Sequence, residues 1–316
     1  MSQQLSVIWW NTSLSPPTHK KSSEDKKLTE IELEEKKNKK LDLCTSVIQN
    51  FLNLDYDFIC LGEVNTNDIN NIIKKLNLET ENYTYTYIDS YQKVGQLHFD
   101  TAILYKDKHL IKPMLLDSEL FCYENLTYSN TDRNCKTGQK FQFYLPEFEE
   151  NLILYLVHWS SRQSTDDNLY DSLAQDLRSS IGQSELSKDN LMVIGDFNIE
   201  PHHSAIVKKL QSSREKALVV DRKSLLYNPC WKFLSHSQTS QEDKFLGTYK
   251  LRKTGYQNDW HMIDQVLISK NFLKLRGAWA FDDQYVEIID TKILLGLTQN
   301  ISDHFAISIL IPRTLK

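Results

Sequence analysis

The stretch Leu191-Met192-Val193-Ile194-Gly195-Asp196-Phe197-Asn198-Ile199-Glu200-Pro201 constrains the fold more than any other part of the chain. Four consecutive apolar residues read as a strand buried on both faces. Gly195 lets the backbone turn, and Asp196 and Asn198 follow at alternate positions, on one side of an extended segment. A carboxylate that takes a proton from water, beside an amide that fixes it, suits hydrolysis. A strand ending in a polar turn is ordinary, so the pair gains meaning only from the rest of the chain.

Other apolar runs end in the same way. Residues 7–10 deliver Asn11, residues 58–62 deliver Glu63, and residues 152–157 deliver His158. Asp264 lies within Ile263-Asp264-Gln265-Val266-Leu267, and Ser302-Asp303-His304 precedes a last strand at 305–311. A glutamate after an apolar run and a glycine costs free energy unless something pairs with it. Between these strands the helical period places Leu41, Cys44, Ile48 and Phe51 on one face, and Tyr170, Leu173, Leu177 and Ile181 on another. Helices are also expected over 68–76 and from Pro201 through Leu210. Further strands are expected at 83–89, 99–105 and 141–145, with 117–146 otherwise hard to read. Strands alternate irregularly with helices, which favours two sheets with helices outside over a simple parallel order. There is no Gly-rich phosphate loop.

The length allows one large α/β domain or two small ones, and the lack of a convincing interdomain linker favours one over 1–316; 40% of residues are apolar and 11% aromatic, enough for a substantial core. Five cysteines, an odd number without a C-x-x-C spacing, argue against a disulfide framework or a zinc site and read as reduced thiols. No run approaches the ~18 apolar residues of a membrane span, and the first residues lack a basic leader. The expectation is a soluble, cytoplasmic protein. Net charge is −5, but residues 20–40 hold eight lysines and six acids, which leaves −7 elsewhere. Residues 18–40 are therefore expected to form a charged helical insertion, a surface open to a protein partner. Four of the remaining negatives are the candidate site carboxylates Glu63, Asp196, Asp264 and Asp303, which a divalent cation would partly offset.

Six strand endings rich in carboxylate, imidazole and carboxamide describe a metal-assisted hydrolytic site. With Trp10-Asn11, Leu61-Gly62-Glu63-Val64, Gly195-Asp196-Phe197-Asn198, Ile263-Asp264 and Ser302-Asp303-His304 in that order, the chain resembles the endonuclease/exonuclease/phosphatase family, the deoxyribonuclease-I-like fold. The motifs span residues 7–311 and look like those of a bacterial-type member. The resemblance implies a four-layer α/β sandwich, with two mixed β-sheets face to face, helices outside and the site at one rim. It implies Mg²⁺, with Mn²⁺ as the alternative, held by Glu63 with Asn11 beside it and Asp303 nearby. Asp196 would orient and deprotonate water, and Asn198 would fix Asp196 or a phosphoryl oxygen. His304 would contact the phosphate, its tautomer held by Asp264.

His158 matches the branches that resemble deoxyribonuclease I, sphingomyelinases and the nuclease subunit of distending toxins, and argues against abasic-site endonucleases. In the deoxyribonuclease-I-like case this histidine leans on an acid from a neighbouring strand. Asp100 is the candidate, with His98 on the same segment as the alternative. Ile194 before Gly195 and Gln265 after Asp264 argue against the inositol-polyphosphate branch. Arg162 could clamp a phosphate, and Tyr249 and Trp260 could stack on a base. Trp9 and Trp10 read as core. Adjacent His202 and His203 do not face one spot on a helix and read as surface. The implied activity is a metal-dependent phosphodiester hydrolase, a nuclease with nucleic acid as substrate. The alternative is a phosphodiesterase or phosphatase for a small phosphate or phospholipid head group.

Overall fold

Alternation along the central strands sets the layering. In the strand Gln4–Asn11, Val7 and Trp9 belong to one buried cluster, while Ile8 and Trp10 belong to another. The strand Phe58–Gly62 repeats this with Phe58 and Cys60 against Ile59 and Leu61. In Glu150–His158 and Asn190–Asp196, Leu152, Leu154, Leu156, Met192 and Ile194 join the first cluster. Their neighbours Ile153, Tyr155, Val157, Leu191 and Val193 join a third. A strand sends successive side chains to opposite faces, so the shared cluster is the interior between two sheets and the other two lie outside. This is the four-layer sandwich that the alternating strands require. The computed structural model describes residues 4–16, 28–78, 84–106, 110–115, 122–130, 134–161, 167–182, 185–186, 189–234, 247–251, 260–273 and 279–313.

The first sheet has six strands, in the order Val286–Ile289, Ala306–Pro312, Gln4–Asn11, Phe58–Gly62, Thr101–Lys106, Tyr85–Asp89. The second has eight, with Asp264–Ile268, Asn190–Asp196, Glu150–His158 and Asn134–Leu145 at its centre. Each sheet contains a central parallel pair joined by a helical crossover: Gln4–Asn11 with Phe58–Gly62, and Glu150–His158 with Asn190–Asp196. The pairs end in register, Asn11 beside Gly62 and His158 beside Asp196. Antiparallel neighbours then bring Asp264 beside Asp196 at the start of its own strand.

Helix α1 (Glu30–Asn53) and helix α2 (Thr66–Leu76) cover the first sheet; helix α3 (Asp167–Ser180) covers the second. The charged residues from Glu30 to Lys40 are the solvent-facing first half of α1, continuous with the apolar stripe that starts at Leu41. They are not a separate element, because a Thr29/Glu32 capping box begins the helix there. Residues 18–27 of the expected insertion lie outside the described residues. Three other boundaries differ from the sequence reading. The strand expected at 99–105 breaks at Asp100, whose carbonyl instead accepts from Val64 N at 3.1 Å. The strand around Phe141 runs the full length of Asn134–Leu145. After Pro201 the chain makes a turn and a short wide-turn helix, Ala205–Lys209. No described helix is long and apolar enough to cross a membrane.

Candidate active site

The strand ends converge on a cleft of about 860 Å³ at one rim, lined by Glu63, Lys136, His158, Asp196, Asn198, Tyr249, Asp303 and His304 among others. Two glycines make the convergence possible. A Cβ on Gly62 would meet the Trp9 ring at 2.7 Å, so the indole occupies the space a side chain would need. Gly195 has φ +149°, and a Cβ there would lie 1.9 Å from the Val157 carbonyl oxygen. Glu63 and Asn198 both adopt left-handed backbone, at φ 54° and 55°. That conformation is uncommon outside glycine and is costlier for glutamate than for asparagine. At each place it turns the chain just as the strand ends.

Three acids are bound to histidine Nδ1 atoms around this cleft. Asp264 Oδ2 lies 2.8 Å from His304 Nδ1, and its Oδ1 accepts from Trp9 Nε1 at 2.8 Å. Asp100 lies 2.9 Å from His158 Nδ1 and also accepts from Lys136. Glu200 Oε1 lies 2.9 Å from His261 Nδ1. With Nδ1 so engaged, His304 Nε2 faces Asp196 Oδ2 at 3.8 Å, and His158 Nε2 faces Glu63 Oε1 at 3.6 Å. Asn11 Nδ2 bridges the halves, donating to Glu63 Oε1 at 3.2 Å and to Asp196 Oδ2 at 3.5 Å. Asp196 Oδ1 accepts from Asn198 N at 2.8 Å, and Asn198 Nδ2 donates to the Trp159 carbonyl at 2.8 Å. Asp303 accepts from Ser13, and Ser302 Oγ ties this turn to the Asn11 carbonyl at 2.7 Å.

Burial and charge then set the proton positions. Burial, reinforced by the Asp264 charge, pushes the Asp196 carboxyl up to about 7. Burial opposes charging His304, but Asp264 outweighs it and raises the imidazole to about 10. His158 is raised in the same way, with Asp100 outweighing burial. Burial would raise Asp100, but the His158 and Lys136 charges hold it well below the usual carboxylate range. A carboxylate with a value near neutrality can accept a proton from water, and an imidazolium beside it can stabilise a developing anion.

The donor chemistry fits a hard divalent cation. Asp196, Asp264 and His304 lie within 4.8 Å of one another, but both Asp264 oxygens and His304 Nδ1 are already committed to hydrogen bonds. Glu63 is the more open ligand: among the described residues its Oε1 alone has a donor, Asn11. Asp196 is raised first by burial and then by the Asp264 charge, and a cation would relieve the second of these. Oxygen-rich donors of this type suit Mg²⁺ or Mn²⁺.

A sequence profile of the endonuclease/exonuclease/phosphatase family matches residues 22–300. The chain belongs to this family. Its fold is shared with a humanized D. rerio TDP2 carrying 14 mutations, at 14% identity over 98% of both chains and a TM-score of 0.61. It is shared also with the human Nocturnin catalytic domain, solved with a bound sulfate anion, at 14% identity over 99% of this chain and 97% of that one, TM-score 0.57. A Bacteroides thetaiotaomicron member of the family aligns over the whole of both chains at 12% identity and a TM-score of 0.58. No curated protein matches the sequence.

Within this family member the structure gathers Asn11, Glu63, Asp100, His158, Asp196, Asn198, Asp264, Asp303 and His304 at one rim. Tyr249 is there too, its ring 5.1 Å from that of His304. Trp260 is not among the described cleft-lining residues: its ring stacks on Phe305 at 5.4 Å, under Lys250. Arg162 lies outside the described residues. His98 turns to the Tyr91 hydroxyl at 3.2 Å rather than to His158. Trp9 and Trp10 are fully buried. Sequence reasoning missed Lys136, Glu200 and His261. Lys136 sits in an alternating strand where nothing marks it, whereas Glu200, inside the 191–201 stretch, was a legible signal.

Proposed function

We propose that this chain is a single-domain, metal-dependent phosphodiester hydrolase acting on nucleic acid by attack of water on phosphorus. The observation that carries the reading is the pair of carboxylate-backed imidazoles, His158 and His304, facing the acids Glu63 and Asp196 across Asn11. Asp196, fixed by the Asn198 backbone and the Asn11 amide, takes a proton from the attacking water. The new oxygen–phosphorus bond forms as the bond to the leaving oxygen breaks, and the leaving oxygen takes its proton from solvent. His304, oriented by Asp264, and His158, oriented by Asp100, donate to phosphoryl oxygens as charge builds there. Glu63, Asn11 and Asp303 would hold Mg²⁺ or Mn²⁺, which supplies positive charge at the phosphoryl group. Tyr249 forms the cleft wall beside His304, where a base or sugar packs. A D. rerio TDP2 of the same fold was solved with a single-strand DNA product, which supports nucleic acid as the substrate class. Five free cysteines support a reducing, cytoplasmic setting.

The test is purified protein with Mg²⁺ on plasmid, single-stranded DNA, RNA and small phosphodiesters side by side. Asp196→Asn, His158→Ala and His304→Ala should each abolish cleavage while circular dichroism stays native. Retained nicking by Asp196→Asn would overturn the mechanism. A second reading, a small phosphate or a phospholipid head group as substrate, is favoured by the −7 balance outside residues 20–40. Turnover confined to small phosphodiesters in the same screen would select it.

A further inference from the structure

The Glu200–His261 pair is the third carboxylate-backed histidine at the cleft, and the reaction described above leaves it without a role. It repeats the geometry of the other two, with Nδ1 on a carboxylate oxygen at 2.9 Å, and His261 lines the same cleft. The dyad also joins the two segments that carry Asp196 and Asp264. Asp196 and Asp264 are direct ladder partners, Phe197 N donates to the Ile263 carbonyl at 2.9 Å, and Glu200 and His261 make the next contact outward. Three residues of chain place the His261 Cα at most about 11 Å from that of Asp264. A single ligand in a cleft of this size reaches both.

The difference from the other dyads lies at Nε2. In His158 and His304 that atom faces Glu63 and Asp196. In His261 it is buried and has no hydrogen-bond partner. A buried polar atom left unpaired costs free energy, so an imidazole retained there for packing alone is a poor solution. Anchoring the loop does not require it either, because Glu200 Oε2 already accepts from Met262 N at 3.1 Å. Glu200 is therefore clamped by the backbone, and it holds the ring in one orientation with Nε2 turned away from the carboxylate.

We propose that His261, held in place by Glu200, binds a second phosphoryl group of the substrate, next to the one that is cleaved. The preferred substrate is then a phosphodiester, or a phosphoanhydride, with an adjacent phosphate. An oligonucleotide and a dinucleoside polyphosphate both offer that chemistry. This rests on the phosphodiester-hydrolase reading above and goes beyond it by naming what the substrate must carry besides the scissile bond. His261 is a specificity residue that touches substrate; Glu200 is a positioning residue.

The experiment compares kcat/KM for the dinucleotide TpT, which has one phosphate, with that for pTpT, TpTpT and diadenosine triphosphate. Wild-type protein should prefer the substrates with more than one phosphate by about 10- to 100-fold, the range of one charge-assisted hydrogen bond. His261→Ala should collapse that ratio toward one, mainly through KM. His261→Gln, which keeps an amide donor near the Nε2 position, should restore part of it. Glu200→Gln should give an intermediate ratio with unchanged circular dichroism. The oligonucleotide and polyphosphate arms identify which source of the second phosphate is preferred, and a preference for either supports the proposal. An equal loss on TpT and TpTpT, or an unchanged ratio, would overturn it. Should wild-type protein hydrolyse none of these compounds, the hydrolase reading fails separately. Binding of fluorescently labelled pTpTpT in EDTA then decides for His261: at least fivefold weaker binding by His261→Ala supports the proposal, and equal binding refutes it.

Discussion

Single side chains in this protein act through relays that begin in the core. Trp9 fills the space beside Gly62, and its indole N–H holds Asp264, which in turn holds His304. Gly62→Ala would push the indole away; overpacking of this kind costs about 1–3 kcal/mol. We expect a lower melting temperature and at least a tenfold loss of kcat, whereas a neutral Gly62→Ala would show that the indole is not fixing Asp264. The proton positions give a second test, run in EDTA. Asp196, raised to about 7, binds its proton more tightly folded than unfolded, so stability falls as pH rises from the ordinary carboxylate value, about 4, through 7. His304, raised to about 10, contributes stability that is complete below about 6.5 and disappears as pH rises through 10. Both slopes run downward with pH. Denaturant midpoints should show Asp196→Asn losing the first slope and Asp264→Asn flattening the second; a flat wild-type curve from pH 4 to 10 would contradict both assignments. These relays were only partly legible in the sequence. The strand endings stood out because an apolar run followed by a polar residue is a local pattern. The indole–carboxylate bond joins residues 255 positions apart and leaves no local trace.

Among the elements, α2 is the one most closely tied to the site. Its N-cap Asn65 forms a capping box with Asp68, and Asn65 Nδ2 also donates to Ser15 Oγ at 2.7 Å. Ser15 N donates to the Glu63 carbonyl at 2.7 Å, so the cap, the turn after Asn11 and the left-handed Glu63 form one unit. Asn65→Ala should cost about 1 kcal/mol through the lost cap. It should also raise the Mg²⁺ concentration needed for half-maximal activity, because Glu63 loses the support that keeps it in an uncommon conformation. A stability loss with unchanged Mg²⁺ dependence would separate the cap from the site. The elements themselves were well marked where burial was two-sided: the strands at Asn11, Glu63, His158 and Asp196 are continuous apolar runs. The sequence reading divided α1 at Leu41, because its first half has no apolar face, and helix continuity there comes from the Thr29/Glu32 cap. It also ran a single strand through Asp100, where the chain in fact breaks and the carboxylate pairs with His158.

For the molecule as a whole, the central parallel pairs of the two sheets end at one rim and bring groups of like charge together there. Glu63, Asp196 and Asp303 line the cleft with Asp264 behind them; among the described lining residues, Lys136 is the one lysine, and it is already bound to Asp100. The chain carries −5 overall, so no general positive field offsets this cluster. A cation that binds the folded chain and not the unfolded one stabilises it by RT ln(1 + [L]/Kd), about 2.7 kcal/mol at one hundred times Kd. Titrating Mg²⁺ into metal-stripped protein should therefore raise the melting temperature progressively and restore activity lost in EDTA. Glu63→Gln should shift both curves to higher Mg²⁺ together, since the same carboxylate serves both. Asp303→Asn should shift them less, because Asp303 is exposed and already accepts from Ser13. A melting temperature indifferent to Mg²⁺, alongside activity that survives EDTA, would mean that the protein tolerates its clustered acids by protonating Asp196 instead of binding a cation.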